Sequence, residues 1–176
     1  QPGASQDHDA IDHPSPTFYT LFTLAGYRSV TTRILFFCIG NICRSPLAEG
    51  VVRLQADRNL VETDSAGTSD WHIGTPPDPR AIAEAARHGV DLSPLRARQF
   101  FPEDFERFDL ILAMDRKNQS QIEALRPEGN CTPVRLFLDF AGPDYPKDIP
   151  DPWFESTFGA VYGLIEKAAG GLLRTL

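Results

Sequence analysis

Short apolar runs alternate with segments of helical periodicity from Arg33 to the end of the chain. This alternation is typical of a parallel sheet that is wrapped by helices. Residues 34–38 are apolar without alternation, as in a strand that is buried on both faces. Further strands are predicted at about 61–65, 108–114 and 134–138. The sequence therefore predicts an α/β fold with three layers, in which a four-stranded parallel sheet carries helices on both faces.

The first helix is indicated by Ser45 and Pro46, which follow the first strand after a short loop. Ser is favoured at an N-cap and Pro at the first helical position. The buried stripe of this helix is predicted to contain Leu47, Val51 and Leu54. A second helix is predicted over 81–86 and ends at Gly89. A third begins after a cap at Asp115 and runs to about Leu125. A long loop over 139–154 then leads to a helix at the C-terminus.

Composition limits the classes of function that the chain can have. Its 176 residues fit one domain, which we expect at 33–176, and residues 1–32 are predicted to be an N-terminal extension that is disordered or loosely docked. The net charge of −7 argues against nucleic acid as a partner, and no apolar run is long enough to span a bilayer. Three cysteines argue against a disulfide framework and favour a reducing compartment, the cytoplasm. The four histidines show no metal-ligand spacing, so neither a metal nor another cofactor is expected.

Residues 38–46 carry the strongest chemical signal, because they read Cys-Ile-Gly-Asn-Ile-Cys-Arg-Ser-Pro between the first strand and the first helix. A loop at a helix N-terminus directs backbone N–H groups toward an anion, and the helix dipole favours negative charge there. Gly40 permits close backbone approach, and Asn41 tolerates a left-handed conformation. The segment therefore predicts a phosphate-binding loop, with Ile39 and Ile42 at the mouth of its pocket.

The residue types in this loop predict covalent catalysis. The same positive field favours the thiolate of Cys38, which can attack phosphorus to give a phosphocysteine. Arg44 can hold two phosphate oxygens in a planar fork, which a lysine cannot do. Ser45 can donate a hydrogen bond to the sulfur and ease its departure. A buried structural cysteine and a surface arginine explain either residue alone, but not the full nine-residue string in this context.

In these residues the chain resembles the low-molecular-weight protein tyrosine phosphatase family, whose loop reads C-x-G-N-x-C-R-S-P. The resemblance extends over residues 33–176. Further matching segments lie at 64–68, 76–80, 88–89, 97–99, 114–115 and 151–152. It implies hydrolysis of phosphotyrosine in proteins, and of small aryl phosphates.

The resemblance also implies residue roles outside the loop. The family takes its general acid from an Asp-Pro followed by two aromatic residues, which Asp151-Pro152-Trp153-Phe154 matches; the residues alone leave Asp139, Asp144, Asp148 and Asp151 open. Trp71, Trp153 and Phe154 are implied to wall the substrate cleft. Trp153 and Phe154 stand where the family has two tyrosines, so regulation by phosphorylation there is excluded.

The family braces its loop with Asn41, Ser45, Ser65 and a histidine, and this chain has Leu95 at the histidine position. Loop rigidity is therefore expected to suffer. The resemblance implies, in addition, that Cys38 and Cys43 form a disulfide on oxidation.

Three rival functions remain at this stage. Related arsenate reductases need further cysteines downstream, whereas this chain has only Cys131, which is predicted to be buried. Related protein arginine phosphatases carry Thr where Ile42 stands. The third rival is a non-catalytic module that binds phosphate. Such a module needs neither a nucleophile nor an acid, so the presence of both argues against it.

Overall fold

The computed structural model of the chain describes residues 31–176. The prediction of an N-terminal extension falls almost entirely on residues outside this range. The first strand begins at Thr32.

Four strands form one sheet, and every neighbouring pair is parallel. They are β1 (Thr32–Cys38), β2 (Val61–Gly67), β3 (Leu110–Ala113) and β4 (Val134–Leu136), in the spatial order β2–β1–β3–β4. The predicted four-stranded parallel sheet is confirmed. The third and fourth strands are shorter than predicted, and a 3-10 turn at Phe137–Phe140 follows β4 directly. Because β1 lies between β2 and β3, the segment after Cys38 leaves the middle of the sheet.

Six helices connect or follow the strands in the described residues. They are α1 (Arg44–Gln55), α2 (Pro79–Arg87), α3 (Asp104–Arg107), α4 (Arg116–Glu123), α5 (Pro152–Glu155) and α6 (Phe158–Leu173). The single-turn helices α3 and α5 were not predicted, since four residues carry too little periodicity to be recognised. The predicted cap of α4 is confirmed, because the Asp115 side chain accepts a hydrogen bond from the backbone N–H of Asn118 at 2.6 Å.

The start of α1 corrects the sequence prediction. The helix begins at Arg44 with Cys43 at its N-cap, and no side chain caps it. Ser45 is therefore not the N-cap, because its hydroxyl lies within hydrogen-bond distance of Cys38 and Asn41 instead. The predicted apolar stripe is also too long, since the side chain of Leu54 is 55% exposed.

Two apolar cores lie on opposite faces of the sheet, and β1 contributes to both. Ile34, Phe36 and Cys38 belong to the core that α1, α2 and α6 cover. Leu35 and Phe37 belong to the core that includes Phe105 of α3 and Ile122 of α4. This alternation follows from the two-residue period of a strand, and it confirms the three-layer arrangement. Burial of each large apolar side chain contributes about 1.5–3 kcal/mol to the free energy of unfolding. Because β1 is packed on both faces, the position of Cys38 at its end is well defined.

No helix within residues 31–176 is both long and apolar enough to cross a membrane. The same residues contain no cluster of three or more His, Cys, Asp or Glu side chains that could hold a metal ion.

Candidate active site

Residues 39–43 form a loop that joins the central strand to α1. Three carbonyl oxygens at this loop accept hydrogen bonds from the segment after β2: Thr68 N–H to Cys38 at 3.3 Å, Ser69 N–H to Ile39 at 3.0 Å and Asp78 N–H to Ile42 at 2.8 Å. Within the described chain, no backbone N–H of residues 39–43 has a protein acceptor. The loop therefore has its carbonyl groups engaged and its N–H groups free for an anion.

Two glycines allow this loop to pack closely against its surroundings. A Cβ atom on Gly67 would lie 2.5 Å from the carbonyl oxygen of Ile39, so only glycine fits at the end of β2. A Cβ atom on Gly40 would lie 3.2 Å from Cδ2 of His72, which sits over the loop. The predicted need for glycine at Gly40 thus has a second reason, which is contact with a side chain that the sequence did not single out.

Asn41 adopts the left-handed conformation that the sequence led us to expect, with φ of 52°. Its side chain is 2% exposed. The amide nitrogen donates to Oγ of Ser45 and to Oγ of Ser65, both at 2.9 Å. The amide oxygen accepts from the backbone N–H of Arg98 at 2.9 Å. These three bonds hold a backbone conformation that is costly for a residue other than glycine.

Cys38 ends β1 and points into the loop. Its residue is 3% exposed, and its Sγ atom lies 3.0 Å from Oγ of Ser45. The sulfur thus stands beside the N-terminus of α1, where the helix dipole stabilises negative charge. The other loop cysteine, Cys43, is 6% exposed, and burial raises the pKa of its thiol above the ordinary value. Cys43 is therefore a buried, neutral thiol.

Arg44 is 2% exposed, and its guanidinium is held by groups from distant parts of the chain. One terminal nitrogen donates to Oδ2 of Asp115 at 2.6 Å and to the carbonyl oxygen of Ile149 at 3.0 Å. The other donates to Oδ2 of Asp151 at 3.1 Å. Burial by itself lowers the pKa of Arg44, but Cys38 and the two carboxylates outweigh it and raise the pKa above its ordinary value. The arginine is thus charged and fixed in orientation.

The four carboxylates that the sequence left open are separated by their positions. Asp148 pairs with Arg116 at 2.7 Å, and Asp139 pairs with Lys147 at 2.6 Å. Of the four, all of which lie in the described part of the chain, Asp151 lines the pocket that contains Cys38. Its Oδ1 accepts from the backbone N–H of Trp153 at 3.1 Å and caps α5, while Oδ2 contacts Arg44.

The loop opens into a cavity of about 230 Å³. Its lining consists of Cys38, Ile39, Gly40, Ile42, Cys43, Arg44, Trp71, His72, Asp151, Trp153 and Phe154. The aromatic residues form an exposed rim, with Trp71 at 78%, Trp153 at 43% and Phe154 at 85% exposure. Such a rim suits a flat aromatic group above a phosphate-binding floor. All candidate site residues except Asn41, Ser45 and Ser65 line this cavity, and those three are buried and joined to one another by hydrogen bonds.

Sequence reasoning missed three residues near the site. His72 lies in the cavity wall with its ring centroid 6.1 Å from that of Trp153. Asp115 was predicted only as a helix cap, yet it also holds Arg44. Glu49, which is 4% exposed, accepts the hydroxyl of Ser65 behind the loop. A histidine next to Trp71 was visible in the sequence, but nothing there indicates that a glutamate inside α1 points inward.

The positions of Leu95 and Cys131 bear on two further predictions from the sequence. Leu95 packs against the apolar core that α1 covers, and it supplies no polar group to the loop. Ser65 has a hydrogen-bond acceptor without it, because its hydroxyl donates to Glu49. The prediction that Cys131 is buried is wrong, since it is exposed and its thiol approaches only the carbonyl oxygen of Gly129, at 3.6 Å.

A cysteine at the end of a central parallel strand, followed by a loop with free N–H groups and a helix that begins with an arginine, defines a class of α/β proteins that carry the segment C-x5-R. Residues 33–176 match the family model described as low molecular weight phosphotyrosine protein phosphatase. The chain belongs to this family.

Individual relatives agree with the family match. A low molecular weight protein-tyrosine-phosphatase of Streptomyces coelicolor is 41% identical over 155 residues, which cover 82% of this chain and 93% of the relative. The crystal structure of YfkJ from Bacillus subtilis superposes with a TM-score of 0.80 at 34% identity, over 84% of this chain and 96% of that chain. Vibrio vulnificus Wzb, in complex with benzylphosphonate, gives a TM-score of 0.74 at 31% identity, over 84% of this chain and 100% of that chain.

Proposed function

We propose that the chain hydrolyses phosphotyrosine in proteins, and small aryl phosphates, through a phosphocysteine intermediate on Cys38. The observation that carries this proposal is the presence of Cys38, Arg44 and Asp151 in one cavity with an aromatic rim. Residues 33–176 would make up the catalytic domain, and the reaction needs no cofactor. Because the nucleophile must stay reduced, we infer a reducing compartment such as the cytoplasm.

In the first step, the Cys38 thiolate attacks phosphorus and the bond to the aryl oxygen breaks. Arg44 and the backbone N–H groups of residues 39–43 hold the equatorial oxygens of the phosphoryl group. Phosphate binding draws the Arg44 guanidinium to the substrate, which frees Oδ2 of Asp151 to carry a proton. Asp151 gives that proton to the departing aryl oxygen.

In the second step, Asp151 accepts a proton from water, and the water oxygen attacks phosphorus. The sulfur–phosphorus bond breaks, inorganic phosphate forms, and Cys38 returns as a thiolate. Ser45 stabilises the departing sulfur, since its hydroxyl lies 3.0 Å from Sγ. Trp71, Trp153 and Phe154 would contact the phenyl ring of the substrate. The related Wzb is in complex with benzylphosphonate, a ligand that likewise joins an aromatic ring to a phosphorus group.

The reaction is tested by the kinetics of a series of phenyl phosphates with leaving groups of increasing acidity. For Asp151→Asn we expect a loss of about 10²- to 10⁴-fold with the poorest leaving groups and a much smaller loss with the best, because only a poor leaving group needs the proton. Asp148→Asn is the matched control, since Asp148 lies on the same loop but pairs with Arg116. Equal losses across the series would remove the acid role from Asp151.

The wild-type protein provides the comparison with the rival functions. We expect turnover of a phosphotyrosine peptide and of aryl phosphates at mildly acidic pH. Preferential turnover of phosphoarginine, reduction of arsenate at the expense of thiols, or phosphate binding without turnover would each replace the proposed function by the corresponding rival.

The same cavity supports a proposal on redox regulation. Cys38 and Cys43 both line it, and peroxide would convert a reactive thiolate to sulfenic acid. The Cys43 sulfur would then attack that sulfenic sulfur, release water and form a disulfide. Peroxide should therefore inactivate the enzyme, and a thiol reductant should restore it.

Peptide mass mapping after peroxide treatment measures the expected Cys38–Cys43 linkage. Cys43→Ala is the informative variant, because without the second thiol Cys38 should proceed to sulfinic acid and reductant should not restore activity. Cys131→Ser serves as the control, since that thiol is exposed and outside the cavity. Full recovery of the Cys43→Ala variant after peroxide would refute the pairing.

A further inference from the structure

A continuous path of hydrogen bonds runs from Glu49 to the nucleophile. Oγ of Ser65 donates to Oε2 of Glu49 at 2.6 Å, and the Asn41 amide nitrogen donates to Ser65 and to Ser45 at 2.9 Å each. Oγ of Ser45 lies 3.0 Å from Sγ of Cys38. Glu49, Ser65, Asn41 and Ser45 are 4%, 4%, 2% and 0% exposed. The path is therefore shielded from water, and its groups must satisfy one another.

The direction of each bond along this path follows from the number of protons available. The Ser65 hydroxyl has one proton, and Glu49 accepts it, so Ser65 can only accept from Asn41. The Asn41 amide group then uses its two protons on Ser65 and Ser45. Ser45 already accepts from Asn41, and so its own proton is free to be donated to the Cys38 sulfur.

The direction of these hydrogen bonds depends on the orientation of the Asn41 amide group. If Ser65 lacked an acceptor for its proton, the Asn41 amide could rotate by 180° and present its oxygen to Ser65 and Ser45. Ser45 would then donate to Asn41 and no longer to sulfur. The backbone N–H of Arg98 opposes this rotation from one side, because it donates to the amide oxygen at 2.9 Å. Glu49 opposes it from the other side by taking the Ser65 proton.

We propose that Glu49 is a positioning residue, which fixes the direction of the hydrogen bonds through Ser65 and Asn41 and so keeps the Ser45 hydroxyl donating to Cys38. The proposal deepens the proposed function, in which Cys38 is the nucleophile. It assigns to a glutamate of α1 the support that Leu95 does not supply.

The role depends on an acceptor oxygen and does not depend on charge. Burial raises the pKa of Glu49 to about 7; the hydrogen bond from Ser65 and the charges of Arg53 and Arg98 oppose this rise, whereas Asp64 adds to it. Oε1 faces Arg53, whose guanidinium donates to it at 3.2 Å. Gln keeps an acceptor oxygen for Ser65 when its amide NH2 takes the place of Oε1, and only the bond from Arg53 is then lost.

The test measures how readily the Cys38 thiol reacts with iodoacetamide as a function of pH, in a Cys131→Ser background and with peptide mass spectrometry as the readout. Glu49→Leu is expected to move the midpoint of Cys38 alkylation upward by about one pH unit and to lower kcat by about tenfold, because the thiolate loses a charge-assisted hydrogen bond. Glu49→Gln should restore the wild-type midpoint. Glu49→Leu with an unchanged midpoint, or Glu49→Gln as impaired as Glu49→Leu, would overturn the proposal.

The double variant Glu49→Leu/Ser65→Ala separates positioning from simple packing. Without the Ser65 hydroxyl, no proton competes for the Asn41 oxygen, and so the midpoint should return most of the way to the wild-type value. A purely structural role predicts further damage from the second substitution, and that result would count against the proposal.

Neutron diffraction of the wild-type protein answers the same question if Glu49→Leu does not fold. It should locate the Ser65 proton toward Glu49 and the Ser45 proton toward Cys38, and the opposite arrangement would overturn the proposal. Apart from kcat, none of these measurements uses a phosphate ester. A protein without phosphatase activity would therefore refute the proposed function and leave the hydrogen-bond path to be judged by itself.

Discussion

Replacing Cys38 with Ser is expected to lower turnover of aryl phosphates by about 10⁴-fold or more, because a serine hydroxyl is far less ionised than a thiol in the same field. The fold should persist, because Cys38 is buried at 3% exposure and the smaller oxygen atom of Ser fits in the space that the sulfur occupies. Binding of phosphate or vanadate should remain measurable by calorimetry, because the loop N–H groups and Arg44 are unchanged.

Cys131→Ser is the matched control for this variant. It makes the same chemical change at an exposed cysteine outside the cavity, and we expect wild-type rates. A Cys38→Ser variant that retained turnover near the wild-type level would show that another group attacks phosphorus.

Replacing Arg44 with Lys is the second large effect, and we expect kcat/KM to fall by about 10³-fold. The guanidinium binds Asp115, the carbonyl oxygen of Ile149 and Asp151 with two different nitrogens. A single ammonium group cannot hold Asp115, the carbonyl oxygen of Ile149 and two phosphate oxygens in one plane. The charge is kept in this substitution, so the loss measures the geometry of the fork.

Arg116→Lys is the control, since Arg116 forms a surface ion pair with Asp148 on the same side of the molecule. Exposed pairs contribute about 0–1 kcal/mol, and we expect its kcat/KM to be nearly unchanged. The melting temperature of Arg44→Lys should be measured as well. If Arg44→Lys kept most of its kcat/KM, the phosphate clamp would have to be another residue.

The strand–loop–helix segment was predictable because its signals are local. An unbroken apolar run gives β1, and the nine residues from Cys38 give the loop, so the positions of Cys38 and Arg44 and the left-handed conformation of Asn41 could be predicted before the fold was known. The choice of Asp151 among four carboxylates needed the family resemblance. Spatial contacts then separated it, because the other loop carboxylates that form ion pairs do so away from the cavity.

The parts that sequence reasoning missed depend on how side chains are arranged in the folded chain. Ser45 was predicted to be a helix cap, yet its hydroxyl lies beside Cys38 and Asn41. Glu49 was not singled out in the sequence, yet it is buried and accepts the hydroxyl of Ser65 from β2. Cys131 was predicted to be a buried residue before a strand, but the turn that precedes β4 leaves it exposed.

The anchoring of Arg44 ties the site to the order in which the protein is made. The loop that follows Cys38 ends just before Arg44, but the groups that orient the guanidinium, Asp115, Ile149 and Asp151, lie 71 to 107 residues further along the chain. A ribosome-bound fragment that ends before these residues contains the entire loop sequence and lacks an oriented clamp. An oriented clamp therefore forms only after residues 115–151 have been added, which makes the proposed activity a sensitive reporter that this later part of the chain has joined the sheet.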